Sequence, residues 1–149
     1  MTTLGSMNHL RLTVRDVEEA ERFYDPLLSF LGYRLVQRSE SRLAWAGPGE
    51  GGRLQWLILS AAEEGLRDRA HEQFAPGLHH FAFNAAERAQ VDAFHELLVA
   101  QRAEILDPPA TYDYEPGYYA VFFKDPNGFK LEVVHVPQVT SLETVDTMG

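Results

Sequence analysis

The sequence predicts an α+β fold in which one β-α-β-β-β unit is written twice. Two observations carry that prediction. Alternating apolar stretches and stretches of helical spacing follow in the order strand, helix, three strands, and the order then repeats. Sliding the 149-residue chain by 71 places also lays like on like: His9 on His80, Leu10 on Phe81, Leu12 on Phe83, Ala20 on Val91, Phe23 on Phe94 and Leu27 on Leu98. Later in each half the offset becomes 77, laying residues 53–57 over 130–134, and a six-residue insertion within 112–117 accounts for the change. A unit of one helix and four strands covers one sheet face with its own helix and leaves the other face to meet its twin.

Each element has a local reason. Residues 8–14 alternate, with Leu10, Leu12 and Val14 on one face and His9, Arg11 and Thr13 on the other. Asp16 offers an N-cap to a helix whose stripe is Val17, Ala20, Tyr24, Leu27, Leu28 and Leu31, with Gly32 as its stop. Pro26 falls inside that stripe, so a kink is expected, or a fresh turn capped by Asp25. Residues 33–39, 42–46 and 53–60 read as strands, the last two joined by the glycine-rich turn at 47–52. That turn runs into a strand and lacks the Lys-Ser/Thr tail of a phosphate cradle. A charged connector, 61–77, separates the modules 8–60 and 78–136 of a single domain. The second module reads as a strand at 78–85, then a helix at 87–103 with Val91, Phe94, Leu97 and Leu98 inward. A short strand at 104–106 and a Pro/Tyr-rich loop follow. Strands at 118–124 and 130–136 flank the Asp-Pro-Asn-Gly turn at 125–128. Residues 1–7 are set aside as a leader or cloning scar, and 137–149 as an exposed tail or dimer arm.

Composition removes several classes of function. There is no cysteine, so disulfides, thiolate metal sites and thiol nucleophiles are excluded, and any metal must sit on imidazole, carboxylate or amide oxygen. Twenty-two acidic against 13 basic side chains give a net charge of −9, the wrong balance for neutralising a nucleic-acid backbone. No apolar run has the length of a membrane span, and the start has no signal-peptide pattern, so a cytoplasmic protein acting on a small molecule is expected.

Strand parity points to the chemistry. His9 and His80 fall opposite the apolar rows of their strands, Glu132 falls opposite Leu131 and Val133, and the repeat gives Gln55 the matching place in the first module. Two imidazoles, a carboxylate and an amide oxygen that reach one point make a site for a first-row divalent ion such as Ni, Co, Zn, Fe or Mn. A hydrogen-bonded His/Glu pair without metal is the alternative. With one carboxylate such a site keeps a charge of about +1 and attracts an oxyanion. Arg11 and Lys130 share the inward parity and are candidates for a substrate carboxylate or phosphate; Tyr112 and Tyr114 are candidates for the wall of its pocket. His79 and His135 have the apolar parity of packing residues, and His71 and His95 read as solvent-facing.

The segments NHLRLTVRDVEEAERFYDPLLSFLGYRL, LHHFAFNAAERAQVDAF and YYAVFFKDPNGFKLEVVH resemble the vicinal oxygen chelate superfamily. That superfamily groups glyoxalase I, bleomycin-resistance proteins, extradiol dioxygenases, fosfomycin-resistance enzymes and methylmalonyl-CoA epimerase. The resemblance covers nearly all of 8–136. It implies tandem βαβββ modules forming a half-open mixed barrel with helices outside, a homodimer, and a metal held by His9, Gln55, His80 and Glu132. Bacterial glyoxalase I carries glutamate where Gln55 stands, and extradiol dioxygenases carry a tyrosine where Phe122 stands. The implied activity is lyase or isomerase chemistry on a small oxygenated metabolite, with Glu132 as ligand and catalytic base. An Fe(II) extradiol-type dioxygenase and a metal-free protein that sequesters a drug are the alternatives.

Overall fold

A computed structural model describes residues 4–137, so most of the expected tail and the first three residues of the leader lie outside the described residues. The chain divides into two compact units, residues 1–72 with 126–128, and Gln73–Asp125 with the residues from Phe129 on. In the first unit β1 (His9–Val14) leads into α1 (Val17–Phe30), followed by β2 (Arg34–Arg38), β3 (Arg42–Pro48) and β4 (Leu54–Ala61). The sheet order is β1-β4-β3-β2, with β1 and β4 parallel and the other pairs antiparallel. The second unit repeats this with β5 (Phe81–Asn84), α2 (Arg88–Ala100), β6 (Glu104–Thr111), β7 (Tyr119–Lys124) and β8 (Lys130–His135) in the order β5-β8-β7-β6. The fold is therefore α+β with two βαβββ modules. Neither sheet closes on itself. Among the described residues no helix is long and apolar enough to cross a membrane.

The first helix begins and ends as its sequence dictates. Asp16 Oδ1 accepts from the Glu19 N–H at 2.8 Å, and Gly32, at φ +87°, supplies the left-handed residue that ends the helix. There Gly32 N–H bonds to Ser29 O and Tyr33 N–H to Leu28 O. The helix runs through Pro26 from Val17 to Phe30 without a restart, which corrects the expectation of a fresh turn capped by Asp25. Asp25 is not a cap. It accepts from Trp45 Nε1–H at 2.9 Å and ties the helix to a fully buried indole on β3. Ala20, Tyr24, Leu27 and Leu28 are buried along with Leu43, Trp45, Leu57 and Leu59 of the sheet that α1 packs on.

Tyr33 closes the end of this core by lying over Gly47, where a Cβ would come within 2.3 Å of the ring. Gly47→Ala is expected to lower unfolding stability by about 1–3 kcal/mol through overpacking, read from the urea midpoint. A midpoint unchanged by the substitution would show that the ring yields freely.

In the second unit Gln90 Oε1 accepts from the Ala86 and Glu87 N–H groups at the start of α2. Val91, Phe94 and Leu98 are buried on its inner side, and Phe94 meets Phe123 at 5.5 Å between ring centres. Leu97 is only half-buried. Strand β6 is longer than expected. It runs through Pro108 and Pro109 to Thr111, with register breaks on either side of Asp107. It is an edge strand paired only with β7, and the two prolines fall in the register break between Asp107 and Ala110, where the ladder is already interrupted. The turn after β7 forms as read, with Phe129 N–H donating to Asp125 Oδ1 at 2.8 Å and Gly128 at φ +87°.

Candidate functional site

The open face of the second sheet, opposite α2, holds the chemistry. In the β5–β8 register Ala82 lies beside Glu132, and Phe81 and Phe83 lie beside Leu131 and Val133. Leu131 and Val133 are buried in the core that α2 covers, which puts Glu132 and Lys130 on the other face, as their parity predicted. Glu132 is nonetheless only 1% exposed, because Ala120, Phe122, Val134, Leu106, Tyr112, Tyr118 and Val136 form a small apolar cluster on that face.

A carboxylate buried this deeply needs donors on both oxygens. The Tyr118 hydroxyl donates to Oε1, and His80 Nε2 stands 3.4 Å from Oε2. Burial, the hydrogen bond to Glu132 and the carboxylate's charge, in that order, all hold the Tyr118 phenol above its ordinary pKa. The Tyr112 phenol is raised as well, first by burial and then by Asp107, Tyr114 and Glu132.

Rings wall the carboxylate. Tyr112 and Tyr114 stack at 5.6 Å with planes 5° apart, Tyr112 meets Phe122 at 5.3 Å and Tyr114 meets Tyr118 at 5.1 Å, both edge-on. His80 completes the group, with its ring 6.3 Å from Phe122. Beside this wall residues 111–118 line a depression of about 390 Å³. Lys130 Nζ lies 4.7 Å over the Phe122 ring, where a cation is held by the π face.

His80 stands one residue before β5, so strand alternation does not extend to His79. Instead of packing under the helix, His79 is exposed and turns back on its neighbour, with the two Nδ1 atoms 2.6 Å apart. Sequence reasoning missed this contact, because a side-chain period presupposes a strand that here begins later. His135 behaves as a packing residue, with its Nδ1 3.2 Å from Ala85 O.

In the first unit His9 and Arg11 lie on the face away from α1, as their parity predicted. His9 Nδ1 approaches Asn8 Oδ1 at 2.8 Å, and Arg11 Nε–H donates to Ser60 Oγ at 2.9 Å. Gln55 does not share that face. It pairs with Gly47, in the row of Trp45, Leu57 and Leu59 that α1 and Tyr33 cover, whereas His9 pairs with Trp56. The repeat offset over β4 misled. Leu10 pairs with Leu57 as Phe81 pairs with Leu131, so the residue equivalent to Glu132 is Ile58. Similar residue types, Leu-Gln-Trp-Leu and Leu-Glu-Val-Val, concealed a three-residue slip that only strand pairing reveals. A cavity of about 610 Å³ in this unit does not include His9 in its lining. Charged side chains already engaged with one another line it, such as Arg38 with Glu21 at 2.9 Å.

Two βαβββ modules, the second with a buried carboxylate and an imidazole on the sheet face away from its helix, define the chain's class of small α+β proteins. The chain belongs to the Glyoxalase/Bleomycin resistance protein/Dioxygenase superfamily, which it matches over residues 6–133. It is 36% identical over 132 residues to the uncharacterized protein YqjT of Bacillus subtilis, covering 86% of this chain and 97% of that one. It is 27% identical over 130 residues to the metallothiol transferase FosB of Lysinibacillus sphaericus, covering 87% and 82%. Among solved structures, a Bacillus halodurans protein provisionally described as a glyoxalase superposes with a TM-score of 0.74 at 29% identity, covering 89% of this chain and 97% of that one.

Proposed function

We propose that this protein is a metal-dependent enzyme of lyase or isomerase type, working on a small oxygenated metabolite as a cytoplasmic homodimer. One observation carries the reading: Glu132, fully buried beside His80, is a carboxylate that a fold of this size has no structural need to bury. Imidazole and carboxylate are the donor types that first-row divalent ions take, and Nε2 and Oε2 already face one another at 3.4 Å. His80 and Glu132 would hold the ion from the second module. Gln55, on the helix-facing row, is removed from the set. The ion, when bound, supplies a Lewis acid for adjacent substrate oxygens.

The chain's own residues do the rest. Tyr118 keeps Oε1 of Glu132 occupied, so one oxygen is left to act as ligand or as base. Tyr112 presents flat apolar surface beside it, and the exposed Tyr114 ring stacks on Tyr112. Lys130 is a cation available for a substrate oxyanion once released from the contact it now makes. The name of the Lysinibacillus relative joins a metal and a thiol, which supports including thiol adducts among the substrates to be screened.

Titration with zinc or cobalt(II), followed by a screen of α-keto acids, thiohemiacetals and catechols, tests the reading. Stoichiometric binding that His80→Ala weakens at least tenfold is the expected result. A protein that binds neither ion, yet quenches its tyrosine fluorescence with flat aromatic ligands, would be a sequestering protein instead. The ring wall and the two donors already on Glu132 favour that second reading.

A further inference from the structure

We propose that Arg11, Ser60 and Arg42 form a binding site for the oxyanion group of a small molecule, a carboxylate or a phosphate, on the face of the first sheet that looks away from α1. The inference stands apart from the metal reading, because every group in it belongs to the first unit. Register builds the site. Thr13 pairs with Ser60 across β1 and β4, and Ser60 pairs with Arg42 across β4 and β3, so three polar residues make one row near the end of the sheet. Their strand neighbours Leu12, Leu59 and Leu43 are buried in the row that α1 covers, which turns Thr13, Ser60 and Arg42 to the other face. Arg11 reaches this row from two residues back, where its Nε–H donates to Ser60 Oγ at 2.9 Å. Ser60 therefore stands between two arginines, one bonded to it and one directly across from it on the neighbouring strand.

What this group lacks is an anion. Elsewhere in the unit Arg15 and Arg38 are paired with Glu19 and Glu21. Among the described residues no carboxylate pairs with Arg11 or Arg42, and Arg42 Nε is buried without a hydrogen-bond partner. A guanidinium N–H withdrawn from water with nothing to bond is costly, and an oxyanion beside it removes that cost. Ser60 adds a further donor. Its oxygen accepts from Arg11, which leaves its own proton for a ligand. The local charge also has the right sign: strands β1 to β4 contain no Asp or Glu, although the whole chain carries a net charge of −9. Guanidinium groups stay charged at any working pH and present their N–H groups as a planar fork, which matches the oxygens of a carboxylate or phosphate better than a point charge does. Arg11 is exposed while Arg42 and Ser60 are partly buried, so the arrangement has an open side and a fixed floor.

Proton–nitrogen NMR of the arginine Nε–H groups tests the site, with the full chain titrated by inorganic phosphate and separately by acetate at constant ionic strength. The Arg11 and Arg42 signals, identified by their loss in Arg11→Lys and Arg42→Lys, are expected to move together and to saturate at one midpoint. Whichever ion has the lower midpoint names the head group. Arg42→Gln and Arg11→Gln should each raise that midpoint about tenfold or more, the worth of a charge-assisted hydrogen bond, and Ser60→Ala severalfold. Arg42→Lys keeps the charge without the Nε–H and should bind nearly as weakly as Arg42→Gln. Arg38→Gln removes the same charge from the helix-facing row and should leave the midpoint where it is. Signals that stay fixed or drift without saturating overturn the site, and so does an Arg38→Gln variant weakened as much as Arg42→Gln, which would reduce the effect to general charge. Should Arg42→Gln not fold, the parent spectra and Arg11→Gln decide by themselves. No step needs a metal, so a protein that binds no zinc loses the metal reading and leaves this result intact.

Discussion

Glu132→Gln is expected to leave a folded protein that has lost zinc affinity by at least a hundredfold, and with it any turnover. The substitution keeps the shape and keeps an oxygen to accept from Tyr118, but it removes the only charge on the open face of β8 that can neutralise a divalent ion. Stability should change in the opposite sense to function. Burying a carboxylate with two neutral donors costs more desolvation than the hydrogen bonds return, so Glu132→Gln or Glu132→Leu should be neutral or stabilising in urea unfolding. Calorimetric zinc titration beside a denaturation curve separates the two. A variant that still binds zinc like the parent, or that collapses for want of the carboxylate, would make Glu132 a structural residue and remove the main support for catalysis.

Tyr118→Phe carries the next largest effect, and its sign is the reverse. Here the charge stays buried and loses a donor, which costs about 1.5–3 kcal/mol for a hydrogen bond to an ionised acceptor. The pH dependence identifies the residue responsible. Burial and then Glu132 hold the Tyr118 phenol above its ordinary value in the folded protein, so the folded state keeps this proton where the unfolded chain releases it. The stabilisation is complete below about pH 10, the value of an unperturbed tyrosine, and is lost as pH rises above it. In metal-free protein the denaturation midpoint should therefore fall between pH 9 and 11, and Tyr118→Phe should flatten that fall. It should not abolish it, because burial also raises Tyr112 and Tyr33, and a hydrogen bond to Asp92 raises Tyr119. Parallel profiles for parent and variant would mean that Tyr118 does not titrate against Glu132.

Much of this protein was decided by its sequence alone. The duplicated βαβββ order, the helix ends at Asp16 and Gly32 and the turn at 125–128 follow from spacings and residue types that act within a few positions. The open-face placement of His9, Arg11, Lys130 and Glu132 follows equally from a period of two, because each lies inside a strand whose apolar row is unambiguous. Tertiary structure decided what depends on pairing between distant segments. Gln55 changed faces because β4 pairs with β1 and β3 three residues away from where the repeat placed it, and an odd slip exchanges the faces of a strand. Asp25 left its expected cap for the Trp45 indole twenty residues on, since a buried N–H must find an acceptor wherever the fold supplies one. His79 met His80 because β5 starts later than its apolar pattern does, and Tyr118 met Glu132 across the β7–β8 pair. Local sequence settles which residues share a face; which of them touch is settled by register and burial, which belong to the folded chain as a whole.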